Sequence, residues 1–214
     1  MEIIVDRNDL KIEKLELSSF ATNAYIIICP QTLKSALIDV PGGGPTILKN
    51  LKGTQLECIL LTHSHVDHIG GLQAVRNRNP APIAVHPADN AKWLPFRPEV
   101  SLNDKDIINV GKIKIECLYT PGHTPGSMCF KIGEYLLSGD TIFPGGPGRT
   151  IGPPEFQLVV KSITEKIFIL PGNTRIYPGH GGPTILKKEK EEYAIFSSRV
   201  HTQGLCGDVT WLNS

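Results

Sequence analysis

The sequence predicts an α/β fold, and three observations carry that expectation. Short apolar runs that read as strands are interrupted by segments with helical periodicity. Histidines and aspartates gather where those strands end, which is where open α/β sheets build their sites. At 214 residues the chain is long enough for one sizeable core, so a single domain over residues 1–214 is expected.

Residues 12–17 and 23–29 read as two strands joined in a hairpin, the second strongly apolar through Tyr25-Ile26-Ile27-Ile28. A third strand, 35–39, ends in Asp39 before Val40-Pro41 and three glycines. Residues 46–51 suit a short helix, and the apolar run 57–62 is a buried strand. Residues 69–78 form a helix with Leu72 and Val75 on one face. Strand 82–86 ends at His86, which has no ligand-type companions nearby and reads as a loop histidine. The stretch 91–100 is irregular and aromatic, with Trp93 and Phe96, and serves either as a substrate wall or as a packed loop. Strands 111–119, 135–140 and 174–180 follow, each leading into a turn that bears a histidine or an aspartate. A closing helix, 187–198, turns Tyr193, Ile195 and Phe196 to the core and Lys187 and Lys188 to solvent.

Composition narrows the function. A net charge of +1 and a pI near 7.7 give no general attraction to nucleic acid or to an anionic membrane, so the expected partner is a small molecule. The five cysteines are odd in number and unpaired in spacing, and Cys29, Cys58, Cys117 and Cys129 lie in apolar runs as inert thiols. The first residues are charged and show no signal-peptide pattern, and no apolar run reaches membrane-spanning length. A reducing, cytoplasmic location is expected.

The chemistry concentrates in Thr62-His63-Ser64-His65-Val66-Asp67-His68-Ile69-Gly70-Gly71. Three imidazoles and a carboxylate in six positions are hard to explain as packing, because each needs a partner if buried. In an extended segment residues i and i+2 face the same way, so His63 and His65 can reach one cation. Asp67 and His68 fall where the helix begins and can serve a second; Asp67 alone would also suit a helix N-terminus. His123, in the turn Thr120-Pro121-Gly122-His123-Thr124-Pro125-Gly126, completes a three-histidine set with His63 and His65. His180 joins Asp67 and His68, and Asp140 is placed to bridge. The carboxylates Asp67 and Asp140 are the candidate catalytic groups, and Asp39 either shapes its turn or orients a metal-bound imidazole. Nitrogen and carboxylate donors without thiolate suit two divalent cations, with zinc the default and iron or manganese compatible. A water shared by two such cations would ionise near neutral pH and act as a nucleophile.

The run His63-Ser64-His65-Val66-Asp67-His68, with His123, Asp140 and His180, resembles the metallo-β-lactamase superfamily over nearly the whole chain. That resemblance implies a four-layer αββα sandwich with the metals at one edge. The commonest true β-lactamases place a cysteine in the second site and lack the equivalent of His68, so the chain departs from them. It looks more like glyoxalase II, the hydroxyacylglutathione hydrolases, and their small single-domain relatives. The stretches that carry this are 62–71, Pro121-Gly122-His123-Thr124-Pro125-Gly126, Ser138-Gly139-Asp140-Thr141-Ile142-Phe143 and Tyr177-Pro178-Gly179-His180-Gly181. The activity implied is thioester hydrolysis. The resemblance also puts Arg149, at the end of a loop rich in glycine and proline, beside the thiol portion of the substrate; the plainer alternative is a surface arginine. Proton supply to the leaving group falls to Tyr177 or to a metal-bound water. The rival family is the persulfide dioxygenases, which would place a single iron on His63, His123 and Asp140, and a lactonase is a weaker third.

Overall fold

Residues Thr22–Cys29 are buried along their whole length, and their alternation decides the architecture. In the computed structural model, which describes residues 1–89 and 94–214, Tyr25, Ile27 and Cys29 enter one apolar cluster while Ala24, Ile26 and Ile28 enter another. Side chains alternate across a strand, so a strand apolar on both faces must be covered on both.

The first sheet holds, in spatial order, β1 (Glu2–Asp6), β2 (Lys11–Leu17), β3 (Thr22–Cys29), β4 (Lys34–Ile38), β5 (Gln55–Leu60), β6 (Ile83–Val85) and β7 (Val100–Ser101). Its first four strands pair antiparallel and the rest parallel. Outside it lie α1 (Gly44–Asn50), α2 (Val66–Ile69) and α3 (Leu72–Arg76), which bring Ile47, Ile69, Leu72 and Val75 against Leu37 and Ile59. The second sheet contains β8 (Ile107–Val110), β9 (Ile113–Tyr119), β10 (Met128–Ile132), β11 (Tyr135–Gly139), β14 (Arg175–Pro178) and β15 (Thr184–Ile185), in that spatial order. A small hairpin, β12 (Ile142–Phe143) and β13 (Gly146–Pro147), leaves the end of β11. The outer face of the second sheet is covered by α4 (Pro153–Ser162), by the wider helical turn Ile163–Ile167, and by α5 (Leu186–Ser197).

Among the described residues three apolar clusters fill the spaces between helices and sheet, sheet and sheet, and sheet and helices. The order is αββα, as the resemblance implied. Fully buried side chains such as Phe130 and Trp211 each contribute about 1.5–3 kcal/mol of apolar burial. No helix among the described residues is long and apolar enough to cross a membrane.

Several expectations need correction. The helix expected over 69–78 is two helices, because Gly70 and Gly71 end one and start the next. A Cβ on Gly71 would collide with the Pro41 carbonyl, so the break also brings the chain close beside the turn after β4. Ile195 is 46% exposed, whereas Leu186, Glu189 and Phe196 are the buried residues of α5. Phe96 packs on the outer cluster with Arg76 over its ring, the packed-loop reading at that residue. Trp93 lies outside the described residues. His86 stacks on Tyr119 with ring centroids 4.0 Å apart, the structural role expected of it.

Candidate metal centre

Strands β4, β5, β9, β11 and β14 all run toward one edge of the sandwich, so the residues that follow them converge. Backbone bonds stitch the two sheets together there: Met128 N–H donates to Thr62 at 2.8 Å, and Asn23 N–H to Gly179 at 2.7 Å. Three ring nitrogens meet first. His65 Nδ1 lies 3.1 Å from His63 Nε2 and 3.0 Å from His123 Nε2. Beside them His180 Nε2 stands 3.2 Å from Asp67 Oδ2, which is itself 3.6 Å from His68 Nε2. Asp140 lies between the groups, with Oδ1 3.4 Å from His68 Nε2 and Oδ2 3.5 Å and 3.6 Å from His123 and His180. The structure therefore brings together all seven residues singled out as ligands.

Their outer hydrogen bonds fix which nitrogen faces inward. The Arg149 carbonyl accepts from His123 Nδ1 at 2.8 Å, and the Phe20 carbonyl from His180 Nδ1 at 3.1 Å. Asp39 accepts from Thr62 N–H at 2.8 Å, from Thr62 Oγ1 at 2.7 Å and from His68 Nδ1 at 2.8 Å. With its proton committed to Asp39, Thr62 Oγ1 accepts from His63 Nδ1 at 3.0 Å. A neutral imidazole has one donor and one acceptor nitrogen, so these four rings turn the Nε2 lone pair inward. One proton on His65 could serve only one of its two neighbours; a cation serves all three.

Electrostatics favour the neutral ring at His63 and His65. At His68, against the effect of burial, Asp39 and Asp140 push the pKa up to about 10, and at His180 Asp67 raises it, so a bound cation would take the place of a proton there. Burial, followed by the neighbouring imidazoles, pushes the His63 pKa well below its ordinary value and keeps the ring neutral. Burial also lowers His65. Burial works against charge on Asp67, but His180 and His68 outweigh it and hold the carboxylate ionised. The same balance, set chiefly by His68, keeps Asp140 low. His68 Nε2 and Asp140 Oδ1 are buried without a hydrogen-bond partner. Two buried polar atoms left in this state are expensive unless a cation satisfies them. Three sets of donor atoms lie within 4.8 Å of one another: His63 with His65 and His123, Asp67 with His68 and His180, and His63 with His68 and Asp140. The cluster can bind metal ions.

Glycines make the convergence possible. A Cβ on Gly179 would collide with Asp140 Oδ1 and meet His68 Cε1 at 2.7 Å. On Gly148 it would collide with the Asp140 carbonyl. Asp89, which nothing in the sequence singled out, accepts from Ser64 N–H at 2.6 Å and pins the loop between His63 and His65. Asp39 takes the orienting role that was one of its two readings.

A cleft of about 330 Å³ opens beside the cluster and is lined by His123, Asp140, Phe143, Arg149, His180 and Asp208, among others. Arg149 does not stand there as a lone cation. Its Nε is 3.7 Å from Asp208 Oδ2 on the C-terminal tail. Tyr177 is corrected as a proton source: it is buried between the sheets with its ring 6.4 Å from those of Tyr25 and Tyr135.

The chain is 33% identical over 210 residues to "Probable metallo-hydrolase YqgX" of Bacillus subtilis (strain 168), covering 86% of this chain and 96% of that one. It is 34% identical over 161 residues to a hydroxyacylglutathione hydrolase of Polaromonas sp. (strain JS666 / ATCC BAA-500), covering 73% of this chain and 60% of that one. The crystal structure of TTHA1623 in a di-iron-bound form superposes with a TM-score of 0.72 at 28% identity, over 83% of this chain and 96% of the other. Residues 18–180 match the sequence model of the metallo-beta-lactamase superfamily, the segment that holds every candidate ligand. The chain belongs to the metallo-beta-lactamase superfamily.

Proposed function

We propose that the protein is a dinuclear metallohydrolase that cleaves a small acyl thioester of the hydroxyacylglutathione type. The observation that carries the reading is that Asp67, His68 and His180 form a second donor set beside His63, His65 and His123, with the Asp140 carboxylate between them. A single-iron oxygenase of the rival family would use His63, His123 and Asp140 and leave the second set without a cation. Zinc suits these donors, and iron does as well, since a similar protein holds two irons.

Bound cations would supply an ionised water near neutral pH and a Lewis acid for the carbonyl oxygen. The chain's own residues do the rest. Asp39, through His68 and through Thr62 and His63, fixes two rings against rotation. Arg149 contributes its backbone carbonyl to His123 and its guanidinium to the cleft, where it meets the thiol portion of the substrate. Hydrolysis breaks the C–S bond, forms a C–O bond and releases a thiol, a better leaving group than an amine. That preference fits a cleft with no tyrosine among its described lining residues, Tyr177 being turned into the core.

The test is elemental analysis of protein purified without added metal, run beside hydrolysis of an S-lactoyl thioester. Two divalent ions per chain and thioester turnover are expected. One iron per chain, with oxygen consumed on a persulfide and no thioester cleaved, would favour the dioxygenase and end the hydrolase reading.

A further inference from the structure

The cleft carries a second charge that its own loop does not supply. Asp208 lies on the C-terminal tail, and its side chain and that of Arg149 are 80% and 75% exposed. Neither is taken up by the core, and both face the cleft that opens on His123, Asp140 and His180. The tail is held in place on either side of Asp208. Gly207 N–H donates to the Thr150 carbonyl at 3.0 Å, and Thr150 N–H to the Gly207 carbonyl at 3.2 Å. Three residues beyond Asp208, Trp211 is fully buried against Tyr193 and Phe196, and its backbone N–H donates to the Gly145 carbonyl at 2.7 Å. The segment that bears the carboxylate thus closes over the loop that bears the arginine.

An exposed ion pair contributes little to stability, because water screens it and two side chains must be ordered to make it. Its partners are therefore easily exchanged for groups on a ligand. A lone arginine would draw in any anion. An aspartate beside it repels a second anion and welcomes a cation, and such a repulsive element is how sites discriminate between similar ligands.

We propose that Arg149 and Asp208 form a charge-pair subsite that reads the thiol portion of the substrate. It favours a thiol carrying both an ammonium and a carboxylate, and it disfavours one with negative charge alone. Asp208 is then a specificity-determining residue. The inference rests on the thioesterase reading above.

Three acetyl thioesters that differ only in the thiol make the test: thiocholine, 2-mercaptoethanol and 3-mercaptopropionate. The quantity is the ratio of kcat/KM for the thiocholine ester to that for the mercaptopropionate ester, measured at low salt for wild type, Asp208→Asn and Arg149→Gln. Metal content and thermal midpoint are checked for each protein. Asp208→Asn should lower the ratio at least tenfold, and Arg149→Gln should raise it at least tenfold. Both ratios should return toward the wild-type value in high salt. A ratio that moves the same way in both variants, or by less than about threefold in either, would overturn the subsite and leave the pair as a tie between tail and loop. If wild type cleaves none of the three esters, including the uncharged one, the thioesterase reading fails and the subsite falls with it.

Discussion

Asp39 shows how much of the site depends on a single side chain. It sits at φ 57°, a left-handed conformation that aspartate tolerates better than most residues, and it is almost wholly buried. From that position it accepts three hydrogen bonds, two from Thr62 and one from His68. Asp39→Ala removes all three and frees the His63 and His68 rings to turn. Loss of such outer partners weakens metal affinity about 10- to 100-fold. Competition with a chromophoric chelator measures it, and unchanged affinity would show that the rings are held by packing alone. His63→Ala removes a donor outright and should empty one metal position, read as a lower metal-to-protein ratio with turnover nearly abolished. At this scale the seven candidate ligands were legible because His63, His65, Asp67 and His68 share one loop, which has few bland explanations, and His123, Asp140 and His180 repeat the pattern at later strand ends. Asp39 was half legible, since a carboxylate before Pro-Gly fits a turn equally well. Asp89 and Asp208 were not legible: each is a single acidic residue in a polar segment, and only the folded chain brings it to Ser64 or Arg149.

Among the elements, α5 does more than cover the second sheet. Its Glu189 is fully buried and accepts from Gly145 N–H at 2.9 Å and from Thr184 Oγ1 at 2.5 Å, joining the helix to the loop between β12 and β13. Hydrogen bonds to a charged group are worth about 1.5–3 kcal/mol each, and removing one partner leaves the other buried and unpaired. Glu189→Ala should therefore destabilise the protein by about 3 kcal/mol in urea unfolding while leaving the metal content intact. A change below about 0.5 kcal/mol would mean that water replaces the carboxylate. Element boundaries were less legible than ligands. The strand β1 was missed because it is mostly exposed and shows no clean alternation, and β8 because half of it faces solvent. The split between α2 and α3 was missed because Ile69, Leu72 and Val75 keep helical spacing across the Gly70-Gly71 break.

Across the molecule, the site exists only when both sheets are assembled. His63, His65, Asp67 and His68 follow a strand of the first sheet, whereas His123, Asp140 and His180 follow strands of the second. Cations held by both would bind the folded chain and not the unfolded one, so they stabilise the sandwich. Stripping the metals with a chelator should lower the thermal midpoint, and free metal at a thousand times Kd should restore about 4 kcal/mol. An unchanged midpoint would show that the cluster adds nothing to the contact between sheets. The layer order itself was legible only through the superfamily resemblance. Periodicity finds strands but not their partners, and here β4 pairs with β5 in parallel while β3 pairs with β4 antiparallel.

A two-cation hydrolytic site can be tested by one titration. Metal-depleted protein receives zinc in fractional equivalents while cleavage of an S-lactoyl thioester is followed at each step. Activity should rise to a plateau at two equivalents per chain. A plateau at one equivalent, or no cleavage at any zinc level, would contradict it.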